Sequence, residues 1–265
     1  DGVNDAPALK LAHIGIAMGM TGTEVAKEAS DLVLADDNFA TIVNAVKEGR
    51  RIVDNIKKYL SYLLRANIGE VIIIGSALLY TISLFKKAIL PLTALQILYI
   101  NLISDGLPAI ALGITEAEAD ILKRKPKKRE NIFSRDIIAS LIILPIIYAL
   151  IVLLVFFNTL EISEMLARTR IFLMMNFMEL AMAISLVSLT QPIYKVGIKM
   201  NKLLWISVIV SSILTLAVLN IREFLDAFGL VAPSIYDIIL GIQASLLIFL
   251  STEVWKFVAK RIFKD

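Results

Sequence analysis

The stretch Leu90–Gly113 constrains this chain more than any other. It is long and apolar enough to cross a bilayer, yet Asn101, Ser104 and Asp105 stand at its middle. A carboxylate at that depth costs several kcal/mol unless something pairs with it, so it marks a functional site. Positions 101, 104 and 105 fall at i, i+3 and i+4, which in a helix puts three oxygen-bearing side chains on one face. Gly106 and Pro108 come next. Glycine is a weak helix former, and Pro108 removes an amide donor and crowds the carbonyl of Ser104. The pattern predicts backbone broken near Gly106, packed in protein or lining a polar cavity, with freed carbonyls able to bind a cation. The plainer alternative is a buried polar patch that holds helices together.

Composition supports a membrane setting. Of 265 residues, 58% are hydrophobic and the mean hydropathy is +0.78, which reads as a polytopic membrane protein. Cysteine is absent, which excludes disulfides, thiolate metal sites and cysteine nucleophiles, and the one histidine, His13, excludes multi-histidine metal sites. The net charge is +3, but its basic residues cluster in short loops between apolar segments. That pattern fits membrane orientation and anionic headgroups, with no nucleic-acid partner. The chain opens on Asp1 without a signal-like start, so it is expected to be the C-terminal piece of something larger.

Residues 1–50 read as soluble. Asp1 to Lys10 is a loop feeding a short helix, with Asp5 as its cap and Pro7 in its first turn. A strand is predicted over His13–Gly19, a helix over Thr21–Ser30 with Thr21 and Glu24 as a capping box, and a second strand over Asp31–Ala35. This alternation is the end of an α/β sheet, and two strands alone cannot make a stable domain, so the rest is expected upstream. Asp1 and Asp5, with Gly2 and Asn4 between them, offer hard oxygen ligands suited to magnesium beside a phosphate; an Asx-rich turn is the alternative. Asp36-Asp37-Asn38 lacks calcium-loop spacing and reads as a solvated turn and helix cap.

From Phe39 a helical pattern runs to Phe85, roughly 70 Å if unbroken, so its first half is expected to be a stalk in water. Asn67 and Glu70 share a face near the start of its apolar part, and Gly69 permits close approach of a neighbour. Six spans are expected from the apolar runs, at about 66–85, 90–113, 137–157, 171–189, 203–220 and 235–255. The segment 158–170 is read as a connector. Glu179 is the only acid deep in the fourth span, with Asn176 three residues before it. Glu253, beside Lys256, reads as an interfacial ion pair. Lys123, Arg124, Lys125, Lys127, Lys128, Arg129 and Arg135 make the most basic loop; Lys195, Lys199 and Lys202 form another, and the tail is basic. Only Lys86, Lys87, Arg168, Arg170 and Arg222 fall on the opposite side, so both ends are expected in the cytoplasm.

DGVNDAPALK resembles the hinge motif of the P-type ATPases, and GIAMG, ASDLVLADDNF and EGRRIVDNIKKYL continue the resemblance. RANIGEV and YINLISDGLPAIALG extend it into the membrane part. The resemblance is closest to the type II group that includes the sarcoplasmic-reticulum calcium pump. It implies a mainly α fold: a six-helix polytopic bundle preceded by the end of an α/β, haloacid-dehalogenase-like phosphorylation domain. Residues 1–45 would belong to that domain, 46–65 to a stalk helix and 66–265 to the membrane domain. The chain carries neither the phosphorylated aspartate in its DKTGT context nor a nucleotide-binding domain. The resemblance therefore implies that the missing N-terminal domains of the same chain bind most of the ATP.

Carried over by position, Asp1 would bind magnesium, and Asn4 and Asp5 would organise the phosphate site. Asn67, Glu70, Asn101, Ser104, Asp105 and, in a less similar surrounding, Glu179 match positions that ligate transported calcium. Oxygen ligands without sulfur or imidazole suit such a hard cation. The implied activity is ATP-driven calcium transport by alternating access through an aspartyl-phosphate, with proton counter-transport as a corollary. A sodium, proton or manganese pump of the same family is the near rival. A channel or secondary transporter is the rival from another class.

Overall fold

In the computed structural model, residues 1–125, 131–197 and 200–263 are described. Lys127, Lys128, Arg129, Lys199 and Lys264, which belong to the basic loops and tail, lie outside the described residues. The chain divides into two compact units, Asp1–Arg51 with residues 117–125, and Ile52–Glu116 with the described residues from Asn131 onward.

In the first unit a single 3-10 turn, Val3–Asp5, leads into α1 (Ala6–Leu11). Strands β1 (Ile16–Met18) and β2 (Leu32–Leu34) pair in parallel, with Ala17 opposite Val33, joined across α2 (Glu24–Ala29). The helix is shorter than the sequence pattern implied because Thr23, not Thr21, caps it, its hydroxyl accepting from Ala26 N at 3.3 Å. Thr21 is instead held by Asp37, whose carboxylate accepts from Met20 N, Thr21 N and Thr21 Oγ1, each at 2.8 Å. Arg50 donates to the carbonyls of Ile121 and Arg124 at 2.7 and 2.9 Å, which pins the 117–125 segment.

Helix α3 runs unbroken over Phe39–Phe85, as the pattern predicted. In the second unit a continuous helical run comes next: α4 (Ala94–Tyr99), a π-helical segment Ile100–Gly106, and α5 (Leu107–Gly113). Then come α6 (Arg135–Leu160), α7 (Glu164–Ser185), the short α8 (Ile193–Val196), α9 (Lys202–Val218), α10 (Arg222–Phe228) and α11 (Ile235–Ile262).

Among the described residues, four helical runs are long and apolar enough to cross a membrane: α3, Ala94–Gly113, α6 and α11. A fifth exists if α9 and α10, bent by 91°, count as one span. Their outward faces present Leu79, Leu150, Ile213 and Leu246, all more than half exposed, as a lipid-facing surface requires. Helix α7 is enclosed: Ile171 to Met175, Asn176 and Glu179 are all at 0% exposure. It packs on α6, α9, α11 and the π segment. A helix surrounded by protein need not be apolar, which is why α7 falls short on hydropathy alone.

The boundaries on either side of the expected 158–170 connector differ from the sequence expectation. The connector before α7 is three residues long, because Ser163 caps the helix and Glu164 begins it. Arg168 and Arg170 therefore sit on α7, paired with Glu164 and Asp237 at 2.6 Å each.

Candidate ion site in the helical bundle

The helical run through Asp105 does not break at Gly106; it widens. Pro108 has no amide to give, so Ser104 or Ile103 must lose an intrahelical donor. The π segment spreads that deficit, and hydroxyls of other helices meet it. Tyr62 on α3 donates to the Ser104 carbonyl at 2.9 Å, and Ser211 on α9 donates to the Ile103 carbonyl at 2.8 Å. The freed carbonyls expected from the sequence are thus present but already partnered. Single-turn π insertions concentrate at functional sites.

This widening changes where the three polar residues point. Asn101 lies beside Glu70 and donates back to the Ile97 carbonyl at 3.0 Å. Ser104, fully buried, donates its hydroxyl proton to Asn176 Oδ1 on α7. Asp105 accepts from Tyr62 at 2.9 Å and sits next to Glu179. The expected single face is therefore divided between α3 and α7.

Glu70, Asp105 and Glu179 come from α3, the π segment and α7, with Asp105 near both glutamates. Their residue exposures are 5%, 1% and 0%. Glu70 Oε1, Asp105 Oδ2 and Glu179 Oε2 are sealed from solvent with no hydrogen-bond partner among the described residues. Buried acceptors left unmet are costly, and neighbouring carboxylates need a cation or protons between them. Among the described residues, no three acidic or histidine side chains stand close enough to form a metal cluster by themselves. Calcium takes six to eight oxygens, so the hydroxyls, amides and carbonyls here must supply the balance.

Asn67 is not brought to this cluster. Its side chain is exposed and donates to the Leu63 carbonyl at 2.7 Å. Three residues along a helix turn the face by about 60°, and the buried interface ends between Asn67 and Glu70. Glu253 pairs with Lys256 at 2.6 Å, as expected, but the pair is buried. It also ties α11 to the end of α7, through Ser185 Oγ at 2.5 Å and Lys256 to the Ser185 carbonyl at 2.7 Å.

The sequence reading missed the supporting hydrogen bonds. Tyr148 on α6 donates to Glu179 Oε1 at 2.9 Å. Asn176 also receives Thr215 at 3.4 Å and donates to the Phe172 carbonyl at 2.7 Å. A buried Tyr, Thr or Asn in an apolar run is the only signal, and it names no partner.

In the first unit the Asp5 carboxylate accepts from Gly2 N at 2.7 Å. Asp5 serves the turn instead of capping α1 with its side chain. The Asp1 side chain is 73% exposed and Asn4 is exposed.

A bundle that contains membrane-capable helices and buries carboxylates on three helical segments holds a candidate functional site. Comparison with known proteins gives the family: residues 89–258 match the model described as "Cation transporting ATPase, C-terminus". The chain belongs to that family. It is 54% identical to the "Calcium-transporting ATPase" of Bacillus subtilis over 138 residues, 52% of this chain and 15% of that protein. It is 35% identical to "Calcium-transporting ATPase 1" of Bacillus cereus over 279 residues, 98% of this chain and 31% of that protein. With "Calcium-transporting ATPase type 2C member 1" of Mus musculus it shares 36% identity over 253 residues, 94% of this chain and 27% of that protein. The chain spans less than a third of the length of these relatives.

Proposed function

We propose that this chain is the C-terminal part of an ATP-driven pump that moves calcium out of the cytosol through an aspartyl-phosphate cycle. One observation carries the reading. Glu70, Asp105 and Glu179 converge from three helices, and each has a buried oxygen without a partner among the described residues. The names of the relatives support calcium as the cargo. The cation would be held by those three acids with Asn101 and Ser104. Asn67 would join only after its side chain leaves the Leu63 carbonyl.

The remainder of the reading comes from the family. Six spans are assigned by adding α7 and the bent α9–α10 pair to the four apolar runs, with the C-terminus in the cytoplasm. The strands β1 and β2 would belong to a haloacid-dehalogenase-like phosphorylation domain. Asp1, open to solvent, offers magnesium one carboxylate, in keeping with that ion's habit of taking one or two carboxylates with water and phosphate. Asp5 and Asn4 would shape the turn beside it. When bound, magnesium would screen the phosphate charge.

The test is Asp105→Asn in the full-length protein. Calcium-dependent phosphoenzyme formation from ATP should disappear. Normal formation at micromolar calcium, a concentration typical of sensor-class sites, would reject the assignment.

A further inference from the structure

We infer that Tyr148 is a positioning residue for ion binding: it holds the Glu179 carboxylate from α6, and it reaches that carboxylate because residue 69 of α3 has no side chain. This rests on the calcium-pump reading. Helix α6 is otherwise largely apolar, and Tyr148 is 1% exposed within it. A phenylalanine would bury as much ring there, so packing alone does not call for the hydroxyl. A buried hydroxyl is costly unless bonded, and this one donates to Glu179 Oε1 at 2.9 Å. Glu179 is thereby fixed through one oxygen while the other, Oε2, stays without a partner among the described residues.

The ring lies directly against α3. A Cβ built on Gly69 would stand 2.3 Å from Tyr148 Cδ1 and 2.8 Å from Cε1, closer than real side-chain contacts. The residue after Gly69 is Glu70. One turn of α3 therefore supplies one acid and clears the path for the hydroxyl that holds another. Tyr148 packs in the main apolar core with Ile73, Val152 and Met178, so any shift of the ring disturbs that packing. Holding a ligand group before the ion arrives lowers the ordering cost of binding, so the pair at 69 and 148 should set calcium affinity.

The experiment uses Tyr148→Phe in the full-length protein, which keeps the ring and removes one oxygen. The calcium concentration for half-maximal phosphoenzyme formation from ATP should rise about ten-fold, the weight of a hydrogen bond to a charged group. Gly69→Ala should raise it comparably by pushing the ring aside. The Gly69→Ala/Tyr148→Phe double variant should be no weaker than the worse single change, because both act through one hydroxyl. If Tyr148→Phe stays within about two-fold of the parent, the inference fails while the pump reading stands, whether or not Gly69→Ala folds. If the parent itself forms phosphoenzyme with no calcium requirement, the pump reading fails and this inference falls with it.

Discussion

Tyr62 has one hydroxyl proton and two acceptors, the Ser104 carbonyl and Asp105 Oδ1, both at 2.9 Å. It is wholly buried. Ser211 has the simpler version of the task, a single bond to the Ile103 carbonyl. Removing that hydroxyl leaves a carbonyl short of a donor inside the bundle. Ser211→Ala should therefore lower stability by about 1–2 kcal/mol, and Ser211→Thr should recover most of it. Thermal unfolding in detergent checks this, and an alanine variant as stable as the parent would mean another donor serves Ile103. Residues of this kind were illegible in the sequence, because a tyrosine or serine in an apolar run does not say which carbonyl it will meet. Glu70, Asp105 and Glu179 were legible for the opposite reason. A charge in hydrocarbon is expensive wherever it points, so its presence alone marks it. Asn67 shows where spacing stops informing: it shares a helical stripe with Glu70, but the interface edge falls between them.

Among the elements, α3 was readable to both its ends because one uninterrupted helical period covers 47 residues. The π segment was not. Gly106 and Pro108 signal that the α pattern must yield, but whether backbone breaks or widens depends on donors from α3 and α9. The start of α7 was obscured by charge. Arg168 and Arg170 look like loop residues until Glu164 and Asp237 are seen to pair with them. The junction between α5 and α9 gives a test at this scale. Asn201 Oδ1 caps α9 by accepting from Leu204 N at 2.9 Å. Its Nδ2 donates to the Ala111 carbonyl at 2.7 Å and to Thr115 Oγ1 at 2.8 Å near the end of α5. One side chain thus closes the start of one helix and the end of another. Asn201→Ala should cost about 2 kcal/mol, a cap plus a buried hydrogen bond, and Asn201→Ser should restore only the cap portion. Equal unfolding midpoints for the serine and alanine variants would show that the cap contributes nothing.

For the whole molecule the decisive element is α3, which contributes residues to both compact units. In the proposed cycle, chemistry near Asp1 must alter the environment of Glu70, and coupling between distant sites needs a physical element with two arrangements that both sites bias. A stiff helix of roughly 70 Å can pass a tilt along its length; a flexible one dissipates it. Glycine is the means of making it flexible, at about 1 kcal/mol of lost helical preference per residue. Inserting a short Gly-rich stretch around Asp54 of the full-length protein should therefore leave ATP hydrolysis running while calcium transport into sealed vesicles is lost. An alanine insertion of the same length preserves stiffness and changes only register, so it separates rigidity from mere displacement. If the glycine insertion leaves the number of ions moved per ATP unchanged, α3 is not the coupling element, and the phosphate and ion sites must communicate by another route.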